Sequence, residues 1–134
     1  YTLKNKAFSY SKFNDLKGRR GDKINGSSNG QAFDLYAQTH LNLHPVSTRQ
    51  QQLKRLIRGR SDYAILDRYT AAFILKEVDL QQQVVALETP LVVNNIFFAF
   101  SKKSPCMPLL PKIIKILKEL DAQGDLERLY KQYL

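Results

Sequence analysis

The stretch Arg20-Gly21-Asp22-Lys23-Ile24-Asn25-Gly26-Ser27-Ser28-Asn29-Gly30 decides how the rest of the chain is read. Residues 20–25 read as a short strand that runs into a glycine and serine loop at 26–30, and a helix is expected next. Within Gln31–Thr39, Phe33, Tyr36 and Ala37 recur at i, i+3 and i+4, with Ala32 and Leu35 widening the stripe. The small residues of the loop would let a ligand approach the backbone. The amides of the helix that follows would attract a carboxylate or a phosphate. The plainer reading is a polar loop with Ser28 or Asn29 as N-cap.

Beyond this helix, Leu41–Val46 reads as a strand ended by Pro45. Thr48 followed by Gln51 fits a capping box, and Leu53, Leu56 and Ile57 give the buried face of a helix that Gly59 can terminate. The short apolar run Asp62-Tyr63-Ala64-Ile65-Leu66 is expected to be a strand covered on both faces, with Asp67 at its carboxyl end. A helix over Tyr69–Val78 and strands over Val84–Leu87 and Asn95–Ser101 extend the β-α-β-α alternation. That order predicts an α/β fold with a mainly parallel, helix-flanked sheet. Beyond Pro105, two amphipathic helices are expected, one over 108–120 and one over 125–134, with no strand after them. Their apolar residues (Ile113, Ile114, Ile116, Leu117, Leu120; Leu126, Leu129, Tyr130, Tyr133) need a surface to cover.

Composition bounds the function. The chain has 134 residues, 43% hydrophobic and 25% charged, enough for one domain plus an appendage and too few for a multidomain enzyme. No apolar run approaches the roughly 20 residues that span a bilayer. The start at Tyr1 predicts that an upstream segment has been processed or omitted. Cys106 is the only cysteine, so neither a disulfide nor a thiolate metal site is expected. The net charge of +9 is concentrated in residues 1–23, where seven cations face two acids, and in Lys54, Arg55, Arg58 and Arg60. Neither cluster has the interleaved aromatics of a nucleic-acid module, so a solvated basic face is expected and no nucleic-acid partner.

Ser28 also sits at the nucleophile position of G-x-S-x-G in the right strand-turn-helix context. His40 and His44 fall in the wrong order for the triad, which leaves a serine hydrolase as a remote alternative. The two histidines straddle the expected helix-to-strand change before Pro45, so no metal site is expected there. Asp67 has two readings: N-cap of the following helix, or a ligand-binding carboxylate at a strand's carboxyl end. A carboxylate beside helix-terminus amides suits an amino acid zwitterion, with a charge-assisted bond at each pole. Asp62 is expected to be structural.

These residues resemble family 3 of the bacterial extracellular solute-binding proteins, polar amino acid receptors with the type II periplasmic-binding fold. Asp15-Leu16-Lys17-Gly18-Arg19-Arg20 is similar to the family's D-L-K-G-K-K/R lead-in to its second lobe. Gly26-Ser27-Ser28 resembles the G-T-S/T loop, with Ser27 for the usual Thr. Residues 56–67 are similar to L-x-x-G-R-x-D-A-V-x-x-D, and Phe98-Ala99-Phe100-Ser101-Lys102-Lys103 to the strand that crosses back between lobes. The tail from Ile116 to Tyr133 resembles A-L-x-x-L-x-x-x-G-x-L-x-x-I-Y-x-K-W/Y.

The resemblance implies a three-layer second lobe over residues 1–101, a helical pair over 102–134 that packs on the first lobe, and a first lobe largely absent. It implies ligand binding at Gly26, Ser27 and Ser28 for the carboxylate and at Asp67 for the amino group, with no cofactor and no catalysis. The implied setting is periplasmic, or extracellular and membrane-anchored, with a signal peptide and a membrane permease as partner in uptake. Without the first lobe, weak or no amino acid binding is expected, and the exposed helices would dock on a second copy or fold back. The same fold serves sensor modules of signalling proteins, transcription regulators and lytic transglycosylases, so the role stays open among these.

Overall fold

The computed structural model describes residues 1–95 and 97–133, apart from the side chains of Tyr130 and Tyr133. The chain divides into two compact units, Tyr1–Val93 and Asn94–Leu134. The expected division after residue 101 falls inside the second of them.

The first unit is mixed α/β. Its centre is a three-stranded parallel sheet of β2 (Arg20–Ile24), β3 (Asn42–Val46) and β4 (Tyr63–Ala64), in the order β3-β2-β4. Helix α1 (Gln31–His40) links β2 to β3 and α2 (Arg49–Ile57) links β3 to β4. Each strand, helix and connection therefore lies within a residue or two of its expected place, except that β4 is shorter than the apolar run suggested.

The two helices bury opposite faces. Phe33 and Ala37 of α1 join Tyr10, Leu16 and Tyr63 in one cluster, while Leu53 and Leu56 of α2 join Ala64, Leu75 and Val84 in another. Tyr63 and Ala64 are neighbours that alternate across the sheet, so a two-residue strand is buried on both sides, as the apolar run predicts. The α1 stripe is narrower than expected: Leu35 is 57% exposed and Ala32 is exposed, because both lie away from the Phe33–Ala37 edge of the wheel. Gly21 lies under the Tyr63 ring, where a Cβ would overlap it. Arg20, Gly21 and Asp22 are the first three residues of β2, with Gly21 and Asp22 buried and Arg20 exposed.

Pro45 is at the edge strand, where a missing donor is tolerated. The Asn25 amide donates to the Val46 carbonyl at 2.8 Å, so Val46 faces β2 and Pro45, one residue earlier, turns its nitrogen away from it.

The alternation breaks after α3 (Arg68–Glu77). Strand β5 (Val84–Val85) does not join the parallel sheet; it pairs antiparallel with β1 (Thr2–Leu3). The physical reason is a tight reversal: Asp79 adopts φ 52°, and the Leu80 amide and carbonyl bond to Leu75 and to Gln83 and Val84. The Tyr1 backbone nitrogen and carbonyl both bond to Ala64, which seats β1 beside β4. The strand expected over 95–101 is also not found: Asn95 and residues 97–101 form no strand, and Ile96 lies outside the described residues. Phe97 and Phe98 are 80% and 75% exposed, so the apolar run has no sheet edge to pair with.

The second unit holds a 3-10 turn (Met107–Leu109), α4 (Leu110–Ala122) and α5 (Asp125–Tyr133), with Gly124 at φ 74° between the helices. Both expected helices are present; position 134 lies outside the described residues. No residue of α4 is buried, and Leu109, Ile114, Ile116 and Leu129 are exposed.

Candidate functional site

Strand order reverses at β2. The chain passes from β2 to β3 on one side and then returns to place β4 on the other. In open α/β sheets, the crevice outside the carboxyl ends at such a reversal is where ligands bind. The two segments that leave the sheet on either side of it are the 26–30 loop after β2 and Asp67 after β4. All four expected site residues, Gly26, Ser27, Ser28 and Asp67, therefore follow the carboxyl ends of adjacent parallel strands.

Between these two segments the strands part. Pairing between β2 and β4 ends at Asp22 and Ala64, with a last bond from the Ile65 amide to the Asp22 carbonyl at 2.9 Å. Beyond it, β2 stays with β3. The fully buried Gln52 of α2 donates from Nε2 to the Asp22 carbonyl at 2.7 Å and to the Ile65 carbonyl at 2.9 Å. Two carbonyl acceptors fix which end of the amide is nitrogen. Gln52 Oε1 is left buried without a hydrogen-bond partner among the described residues. Beside it, the fully buried Asp22 carboxylate accepts from Arg55 Nε at 3.1 and 3.0 Å, which ties α2 to the sheet.

The loop is folded on itself. Gly26 and Gly30 take φ 71° and 93°, left-handed conformations that favour glycine. Ser27 donates both its amide and its hydroxyl to the Ile24 carbonyl. Ser28 Oγ donates to Asp34 Oδ2 at 2.6 Å, and the Asn29 amide donates to both Asp34 oxygens at 3.2 Å. The N-cap of α1 is Gly30, so neither Ser28 nor Asn29 caps it directly. The Ser28 hydroxyl, the Asn29 amide and the nearby Lys23 charge hold the Asp34 carboxyl below its ordinary pKa. The donors expected to receive a ligand carboxylate already face an internal one.

Asp67 takes the first of its two readings, the N-cap. Its Oδ1 accepts from the Thr70 amide at 2.8 Å as N-cap of α3, and its Oδ2 faces Arg49 Nη2 at 3.7 Å. Arg49 is the first residue of α2, whose N-cap Thr48 accepts from the Gln51 amide while Gln51 Oε1 accepts from Ser47. Three helix N-termini thus rise from one sheet edge, with Asp34, Asp67 and Arg49 among them. That edge presents both signs of charge. Asp62 is structural: its carboxylate receives the Arg20 amide and guanidinium at 2.8–3.2 Å, and those bonds hold it below the ordinary Asp pKa.

Ser28 has no imidazole among its hydrogen-bond partners in the described residues; the His40 ring packs at a tilt against Tyr36, centroids 4.6 Å apart, and His44 lies opposite Asp22 in the β2–β3 register. Among the described residues, no group of three His, Cys, Asp or Glu side chains is placed to hold a metal, and no helix is long and apolar enough to cross a membrane. Asp34, Arg49 and Gln52 were missed as site residues. An acid in the first turn after a small-residue loop, and a glutamine four residues before Leu56 on a buried face, were the signals available.

No protein-family model matches the chain. A search of curated proteins finds no match either.

Proposed function

We propose that the first unit is the second lobe of a type II solute-binding protein, a non-catalytic receptor for a small polar, amino acid-like solute. One observation carries the reading: the 26–30 loop and Asp67 flank the crevice where strand order reverses, with helix N-termini and a carboxylate at one edge. A ligand ammonium would meet Asp67, and a ligand carboxylate would meet the Ser28 hydroxyl and the Asn29 amide in competition with Asp34. In this reading a first lobe supplies the other jaw and covers α4 and α5. Delivery to a membrane permease on the extracytoplasmic side is the role proposed.

The test is a titration of the isotope-labelled chain with polar amino acids, followed by amide shifts. Millimolar binding with shifts confined to residues 25–30, 49–52 and 65–70 is expected from half a cleft. Asp67→Asn keeps the helix cap, because Asn caps as well as Asp, but removes the charge that holds the ammonium. It should weaken binding by about tenfold, some 1.4 kcal/mol, with the melting temperature unchanged. Shifts that cluster elsewhere, or an affinity in the micromolar range from this half of the cleft alone, would overturn the reading.

A further inference from the structure

The opposite, amino edge of the parallel sheet carries charge that the crevice does not use. Lys4, Lys6, Lys54, Arg58 and Arg60 are all exposed there. Among the described residues none of the five has an ion-pair partner, whereas Arg20, Arg49 and Arg55 are paired with Asp62, Asp67 and Asp22. The cations converge on the end of α2. Lys6 Nζ lies 3.8 Å from the position a Cβ on Gly59 would take, and Lys4, whose amide donates to the Gln83 carbonyl at 2.8 Å, shares a groove wall with Ile57.

Two plain explanations fall short. Cations do stabilise a helix carboxyl end, but that end carries only about half a negative charge, so most of this positive charge has no counterpart in the fold. Solubility needs no such clustering, since a net charge spread over the surface serves it equally.

Next to the cations a groove of about 470 Å³ opens between Leu3, Lys4, Asn5, Ile57, Gln82 and Gln83. Its lining suggests the occupant. Leu3 and Ile57 offer apolar contact, and the three side-chain amides can each donate and accept, as the backbone of an extended peptide requires. Among the described residues no aromatic ring lines it to stack a base, and a flat lipid surface cannot enter a concavity. We propose that this edge docks an extended acidic peptide segment of another protein, its backbone in the groove and its carboxylates on Lys4, Lys6, Arg58 and Arg60.

Fluorescence anisotropy with a labelled peptide of alternating Glu and Leu tests this, against the matching Lys-Leu peptide, duplex DNA and phosphatidylserine vesicles. The acidic peptide should bind best, and raising salt from about 50 to about 200 mM should weaken it. Lys6→Glu with Arg60→Glu should lower its affinity at least about tenfold. Lys112→Glu with Lys118→Glu in α4 changes the net charge equally and should leave affinity within about twofold. All four positions are exposed, so melting temperatures should hold. Equal losses from both pairs would show a diffuse field and overturn the proposal, as would no peptide binding at low salt or tighter binding to DNA or vesicles.

Discussion

At the scale of single residues, the closest steric constraint in the sheet is Gly21 under the Tyr63 ring. Tyr63 is buried, and the apolar surroundings push its phenol pKa up. A Cβ at residue 21 would overlap the Cζ, Cε2 and Oη atoms of that packed ring, so ring or strand would have to shift. Gly21→Ala should therefore destabilise the first unit by about 1–3 kcal/mol, read as a lower urea midpoint with an unchanged slope. Asp34 makes a different statement. Its folded pKa is depressed, so its contribution is complete above the ordinary Asp value of 3.8 and is lost as pH falls through the lower folded value. On acidification below that value, the amide signals of Asn29 and Gly30 should move before those of β3, and Asp34→Asn should abolish that early step.

Among elements, α2 does the most to shape the crevice, because Gln52 holds the β2 and β4 carbonyls where the strands part. Gln52→Met keeps length and apolar volume but removes both donors. It should cost about 1–2 kcal/mol and should selectively speed hydrogen exchange at the Ile65 amide, while exchange across the β2–β3 ladder stays slow. Uniform acceleration would show that Gln52 only packs. Helices α1 and α2 were legible in the sequence because their burial repeats with the helical period, and the Thr48 and Asp67 caps are local chemistry. The direction of β5 was not legible, because it depends on which edge is open once the chain turns at Asp79. Nor could composition show that residues 97–101 lack a partner strand: Phe97-Phe98 has strand propensity, but a strand exists only where another accepts its bonds. Gln52 stayed hidden because it sits in the run Gln50-Gln51-Gln52, and only burial distinguishes it from its neighbours.

For the molecule as a whole, each unit raises its own question. The second unit leaves Leu109, Ile114, Ile116 and Leu129 in solvent, and the proposed reading has them covered by a first lobe or by a second copy. Sedimentation velocity should show concentration-dependent self-association of these 134 residues, removed by Ile114→Lys with Ile116→Lys; a monomer at every concentration would exclude the second copy. The first unit places its proposed solute crevice and its cationic groove at opposite ends of the same strands, so α2 touches both. Finally, Pro45 leaves a gap in the row of donors on the open side of β3. A strand from another molecule could not bond along that flank without meeting the gap. The parallel sheet is thereby guarded against lateral growth into fibrils, at no cost to the ladder it shares with β2.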